Sequence, residues 1–453
     1  MESGTIGERI AELRARRGWT QAQLAVELEL SHSYVSLLEA GKRTPRERVL
    51  HQIAERLSCS VDYLLTGRGG AIVDTLDLDL RFAELALRSG DAAAARDRFA
   101  AAMQRATRLG NAYRDERLQA LWGLSRAHET LDELDVALRG FEQLNQERTL
   151  PAALSRTAVL KMLCRTYMGC GDLNRAIEIG EAALREAGGS PERLRDDDVI
   201  ELASTLVCCY YERGDLTTGT LLAESVLAAA EAGGSLRARA SAAWNAAVLA
   251  EARGDMATAF RLTERALALF GEVGNAWAIA VLQVNTAWLH LRMPQPDTKR
   301  AAALLEGALA DLPQVGRPTD IATAESELAR CALLDGDPAR AVELGRSAVA
   351  RLSDGPRLDG ARARVVLADA LLAVGDPSAV DEYLRAATEL EQAGASRQAA
   401  QAWCQLADAF VSLGLMTEAL SAYRHVAESA GLATRSPVPT GELVRRGERH
   451  PLG

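Results

Sequence analysis

Ile6, Ile10 and Leu13 recur at helical spacing in TIGERIAELRARRG, with charged residues between them. Thr5 is placed to cap that helix, with Glu8 as its capping-box partner, and Gly18 ends it. Thr20 and Gln23 repeat the signal ahead of QAQLAVEL, a second helix. Glu29-Leu30 makes the turn, Ser31 caps a third helix, HSYVSLLEA, and Gly41 stops it. Pro45 suits the start of a fourth helix, whose apolar face is Val49, Ile53, Ala54 and Leu57. Val61, Leu64 and Leu65 belong to a short fifth helix. Thr66-Gly67-Arg68-Gly69-Gly70 then reads as a flexible joint.

Beyond the joint the chain reads as helical to about residue 430, punctuated about every 40 residues. The marks are Gly90-Asp91, Asp132, Gly171-Asp172, Gly214-Asp215, Gly254-Asp255, Pro296-Asp297, Gly336-Asp337, Gly375-Asp376 and Gly414. Gly frees the backbone for a tight turn between antiparallel helices, and Asp starts the second of each pair. A small residue follows the mark by five positions, as at Ala95, Ala176 and Ala341, and Val380 breaks the rule. A large apolar residue precedes it by eight, as at Phe82, Leu163, Trp288 and Leu406, with Ala246 the exception. The small one lets helices cross closely, and the large one fills the core between repeats.

These elements predict an all-α chain: a helix-turn-helix domain over 1–66, a linker over 67–73, a helical repeat domain over 74–433 and a disordered tail over 434–453. A low aromatic content (4%) favours helices over sheets. At 453 residues the chain is too long for one compact core. Its formal net charge of −10 excludes a generic nucleic-acid coat, so any DNA binding must be local. Residues 1–68 carry ten Lys/Arg against nine Asp/Glu, so the negative charge lies further on. The seven cysteines are scattered and form no C-x-x-C pair, as expected of reduced thiols in a cytoplasmic protein. The N-terminus is polar and charged, and no apolar run reaches the roughly 18 residues needed to cross a membrane. No phosphate loop, H-E-x-x-H or G-x-S-x-G occurs, so neither an enzyme, a cofactor nor a metal site is expected. The run Asp196-Asp197-Asp198 reads as a cap for the following helix.

The N-terminal helices resemble the phage-repressor-like (Cro/C1, or XRE) helix-turn-helix domain. The resemblance rests on Thr20-Gln21, Leu24-Ala25, Ser31, Tyr34-Val35-Ser36, Glu39, Gly41, Pro45 and Val61-Asp62-Tyr63-Leu64-Leu65. It implies a third helix that enters the major groove of double-stranded operator DNA. Val35 and Leu38 then pack inward, and His32, Ser33, Ser36 and Leu37 meet base edges. Gln21, Lys42 and Arg43 are expected on phosphates. The resemblance also implies a structural tie between Glu39 and Arg14. No Arg, Asn or Gln stands at the base-facing positions, so specificity leans on His32, water and DNA shape.

The repeats resemble tetratricopeptide repeats with a period above the usual one, which implies a right-handed α-solenoid of about nine helical hairpins with a concave inner surface. Positions ten and six residues before each mark are expected to face inward. They bring forward Trp122, Arg126, Lys161, Arg165, Trp244 and His290, with Tyr211, Asn245 and Asn285 close by. Arg126, Lys161 and Arg165 would form a cationic patch, the aromatics a flat apolar surface, and the asparagines a hold on a peptide backbone. That suits a small anionic ligand or a peptide carboxyl terminus. Together the two parts resemble ligand-sensing bacterial regulators such as the peptide-pheromone receptors of quorum sensing. The expected function is a homodimeric transcription factor whose operator binding answers to a peptide or small-molecule effector. The alternative is a scaffold whose repeats bind a partner protein and whose DNA-binding domain only localises it.

Overall fold

The computed structural model describes residues 5–57, 59, 61–67, 70–186, 196–352 and 357–429. The expected tail, 434–453, lies outside them. The described residues contain helices and no strand. They form two compact units, Met1–Val159 and Leu160–Gly453.

The first unit begins with α1 (Ile6–Arg16), α2 (Gln21–Glu27), α3 (His32–Glu39), α4 (Glu47–Leu57) and α5 (Val61–Thr66). Thr5 and Glu8 form the capping box of α1, and Thr20 and Gln23 that of α2. Ser31 accepts from the Tyr34 amide at 3.2 Å to open α3. Between α2 and α3 the chain turns through Glu29, which takes a positive φ of 54°. Ile10, Leu24, Val35, Leu38, Ile53 and Leu64 fill the core of these helices. Helix α1 crosses α3 at Gly7, where a Cβ would stand 2.2 Å from the Leu38 carbonyl oxygen. Only glycine admits that approach.

The unit continues into α6 (Gly70–Arg88), α7 (Ala92–Leu109), α8 (Arg114–Thr130) and α9 (Leu134–Gln146). Helix α6 begins inside the span expected as linker, so Gly70–Val73 are helical backbone. A glycine can open a helix at little cost, because the first amides have no intrahelical partner in any case. Phe82 was expected in the core and is instead 54% exposed. It lies on the first helix of the array, before which no hairpin is described to cover it.

The second unit holds most of α10 (Arg156–Gly169) and then α11 (Leu173–Glu186), α12 (Asp197–Arg213), α13 (Leu216–Gly233), α14 (Leu236–Ala252), α15 (Met256–Val273) and α16 (Ala276–Leu291). It ends with α17 (Thr298–Val315), α18 (Pro318–Leu334), α19 (Pro338–Arg351), α20 (Arg357–Ala373), α21 (Ala379–Gln392), α22 (Ser396–Ser412) and α23 (Met416–Ser429). Counted from α6, consecutive pairs make nine hairpins among the described residues, and each turn falls on an expected mark. Gly214 and Gly254 take φ of 88° and 82°, and Asp132 takes 59° where other repeats use glycine. After Gly214 and Gly254 the following Asp caps the next helix, as Asp215 does for the Thr218 amide at 3.2 Å. Asp196 caps α12 by accepting from the Asp198 amide at 2.9 Å.

Val380 broke the small-residue rule for a reason the fold makes plain. Helix α21 starts after Pro377-Ser378, and its buried face is Ala379, Tyr383, Ala386, Ala387 and Leu390. The small residue is therefore present one position earlier, at Ala379.

Candidate DNA-reading face and repeat cavity

Helix α3 presents His32 and Ser33 exposed, Ser36 half-buried and Leu37 39% exposed, while Val35 and Leu38 are buried behind them. That division follows from the 100° step between residues on a helix. Lys42 is exposed just past α3, and the Arg43 guanidinium lies 4.7 Å from the Tyr34 ring centroid. Arg14 grips Glu39 with two hydrogen bonds, of 2.7 and 2.9 Å, and donates a third to the Trp19 carbonyl. Gln21 also donates to Glu39, at 2.8 Å. Its side-chain amide is thus engaged in tying α2 to α3, which the expected phosphate contact had not allowed for. Glu39 is almost fully buried, and a buried carboxylate draws in every donor within reach.

In the second unit the first helices of successive hairpins wall two adjoining cavities, of about 360 and 180 Å³. Of the residues expected in the groove, Tyr211, Trp244, Asn245 and Asn285 line the larger one. Cys208 and Val248 join them, as the position six before the mark implied. Asn245 spends one amide hydrogen on the Ser241 carbonyl at 2.9 Å.

Other expectations fail. His290 stands against Phe260, with ring centroids 5.0 Å apart, and lines neither cavity. Trp288, two residues back on α16, lines both. Two steps along a helix turn a side chain by about 200°. Burial lowers the His290 pKa, with Arg300 adding to the effect and Asp297 opposing it. Lys161 is neutralised by Glu201 at 2.7 Å and Asp198 at 3.3 Å. Arg165 lies 5.6 Å from the Trp277 ring centroid. In the first unit Arg126 pairs with Glu84 at 3.0 Å and lies 5.8 Å from Trp122, which packs edge-on against Phe141. The expected cationic patch is therefore broken up: Arg126 and Lys161 are each long enough to reach a carboxylate on a neighbouring helix, and Arg165 lies over Trp277.

The charges that do line the cavities come from later repeats. Arg362 on α20 bridges Glu212 on α12 and Asp359. Gln398 on α22 donates to the same Glu212 at 2.7 Å. Arg317 pairs with Asp320 at 3.2 Å, and Trp277 donates to Asp320 at 2.7 Å. Burial alone would raise the Asp320 carboxyl; the Arg317 charge and these hydrogen bonds reverse that and hold it below the usual range. Asp359 goes the other way: burial raises it, Arg362 opposes and Glu212 adds. None of these residues was legible from the period, because α12 meets α22 only through the curvature of the repeats.

No group of three or more His, Cys, Asp or Glu suited to a metal occurs among the described residues. No described helix is long and apolar enough to cross a membrane.

A helix-turn-helix with an exposed reading helix, carried on one chain with helical hairpins that wall a cavity, defines a class of DNA-binding regulator. The helix-turn-helix domain profile matches residues 5–64, and a tetratricopeptide repeat profile matches residues 400–431. Over 59 residues the chain is 39% identical to the competence pilus inhibition repressor of Acinetobacter baylyi, which covers 13% of this chain and 54% of that protein. The chain thus spans about half the length of that relative. Over 61 residues it is 34% identical to the HTH-type transcriptional regulator y4dJ of Sinorhizobium fredii, covering 14% of this chain and 79% of the relative. Among solved structures it is similar to a Rap protein complexed with competence and sporulation factor, with TM-score 0.54 and 16% identity over 79% of this chain and 98% of that one. The chain belongs to the XRE-type helix-turn-helix transcriptional regulators, here with a domain of tetratricopeptide-like repeats.

Proposed function

We propose that this protein is a homodimeric, cytoplasmic transcription factor whose operator binding answers to a peptide or small molecule held by its repeats. The observation that carries the reading is the larger cavity, walled by Tyr211, Trp244 and Trp288 and provided with Asn245 and Asn285. Its size of about 360 Å³ falls within the range of small-molecule sites. The Rap protein of similar fold was solved complexed with competence and sporulation factor, and an effector on the repeats is the matching role here. Reading DNA through His32, Ser33, Ser36 and Leu37, with Lys42 and Arg43 on phosphates and the α2 terminus at Gln21 beside them, offers few base contacts. Two copies on two half-sites supply the missing affinity. Effector binding then shifts the arrangement of the two copies only by its differential affinity for the two states.

The test is capture of genomic DNA fragments on the full-length protein, with and without extract of the producing cells. A discrete operator whose capture changes with extract is expected, and Trp244→Ala is expected to abolish the change while leaving capture. Capture of an operator that extract never alters would favour the scaffold reading.

A further inference from the structure

We propose that the smaller cavity is a carboxylate seat, built by Arg397 and Ser326, for the acyl-amino-acid end of a molecule whose apolar body fills the larger one. This rests on the reading that the repeats hold a ligand and specifies its chemistry.

The two cavities share Tyr211, Trp288, Thr323, Glu327, Asp359 and Arg362, so one molecule can occupy both. The larger adds Trp244, Val248, Val281 and Val284, an apolar wall. Its carboxylates are already engaged: Asp320 with Arg317, Glu327 with Arg330, and Glu212 and Asp359 with Arg362. In the smaller cavity Arg292 is likewise paired, with Glu251.

Arg397 is different. It lines the smaller cavity and its charge acts on Glu251 there, yet no carboxylate stands within ion-pair distance of it among the described residues. Its guanidinium lies 6.0 Å from the Tyr211 ring centroid and makes one long bond, of 3.4 Å, to the Ala252 carbonyl. Five donors on a planar fork are thus largely unspent.

A second observation is independent of charge. Ser326, 6% exposed, lines the same cavity, and its hydroxyl has no hydrogen-bond partner. The Gln398 carbonyl oxygen there is also without a partner. Buried polar groups left unpaired are costly, so a ligand that pairs them gains binding energy. A carboxylate answers Arg397 and Ser326, and an adjoining amide N–H answers Gln398. That combination is the end of an N-acyl amino acid, whether free or at the carboxyl terminus of a peptide.

The test titrates the full-length protein by calorimetry with N-acetyl-L-phenylalanine, with its neutral amide, and with the peptide Ala-Ala-Ala-Phe. The acid is expected to bind about tenfold or more tightly than the amide, the range of a charge-assisted hydrogen bond. Arg397→Gln is expected to reduce the acid to the affinity of the amide, Arg397→Lys to restore part of the difference, and Ser326→Ala to weaken the acid several-fold. Circular dichroism establishes that each variant is folded. Tighter binding of the tetrapeptide than of the acetylated residue identifies a peptide source, and the reverse a free acyl amino acid. Equal binding of acid and amide, failure of both to bind at millimolar concentration, or selectivity that survives Arg397→Gln overturns the seat. If selectivity behaves as expected while operator capture answers to no extract, the seat stands and the sensing role falls.

Discussion

The side-chain amide of Gln398 donates to the Glu212 carboxylate across 2.7 Å, joining residues 186 apart in sequence. Gln398 belongs to the ninth hairpin and Glu212 to the fourth. Arg362 holds the same carboxylate from the eighth. Leu173 on α11 shares a buried cluster with Leu390, Ala395 and Ala399, so apolar packing runs beside the polar contact. The second unit therefore closes on itself around its cavities.

Gln398→Ala removes a donor to a buried carboxylate and is expected to destabilise the closure by about 1.5 kcal/mol. Hydrogen exchange checks this: amides of α12 and α22 should lose protection together, those of α16 and α17 should not. Unchanged protection in α22 would mean that the apolar cluster alone holds the turn.

Removing Glu39 leaves the half-buried Arg14 without its carboxylate and unties Gln21 as well. Breaking a buried pair from one side costs about 3–5 kcal/mol, so Glu39→Ala is expected to unfold the first five helices ahead of the rest. Thermal melting should gain an early transition, and operator binding should vanish with it.

Gly7→Ala tests the crossing of α1 and α3. Its Cβ would meet backbone oxygen, which cannot rotate away, so the helices must separate. A loss of about 1–3 kcal/mol is expected in denaturant melts of the DNA-binding domain. A neutral result would refute the close approach.

Ser36→Glu places a carboxylate on the exposed face of α3 without touching the core. Repulsion from phosphates should abolish operator binding at moderate salt and leave the melting temperature unchanged. Normal binding would show that this face does not meet DNA.

Asp359 carries a pH signature. Its folded-state pKa is raised, so between the ordinary carboxylate range and that higher value the folded chain binds more protons than the unfolded one. Stability from this group is greatest below the ordinary range and is lost as pH rises through the folded value. Asp359→Asn should therefore flatten the fall of stability above the ordinary range. Chemical denaturation of both proteins across that window measures it, and parallel curves would contradict the assignment.

Much of the architecture was legible from residue order, because its signals are local. Caps at Thr5, Thr20 and Ser31, the Gly-Asp turns, and the inward faces of α1 to α5 depend on neighbours within one or two helical turns. The face of α3 was legible for the same reason. The cavity was half legible. Trp244 follows from its position within a repeat, and Tyr211, Asn245 and Asn285 from lying close to the same stripe, whereas His290 missed by a fraction of a helical turn. The fates of Arg126 and Lys161 depended on Glu84 and Glu201, whose reach no period encodes.

By itself, then, the sequence determined which segments are helices and where they turn, since each follows from short-range hydrogen bonding and helical periodicity, and its resemblance to a repressor domain pointed to the part that meets DNA. The tertiary structure decided which charges are spent and which remain. Arg362, Arg397 and Gln398 enter the cavities only because the eighth and ninth hairpins come back to the fourth. Such contacts arise from the summed curvature of many repeats, which no single repeat contains.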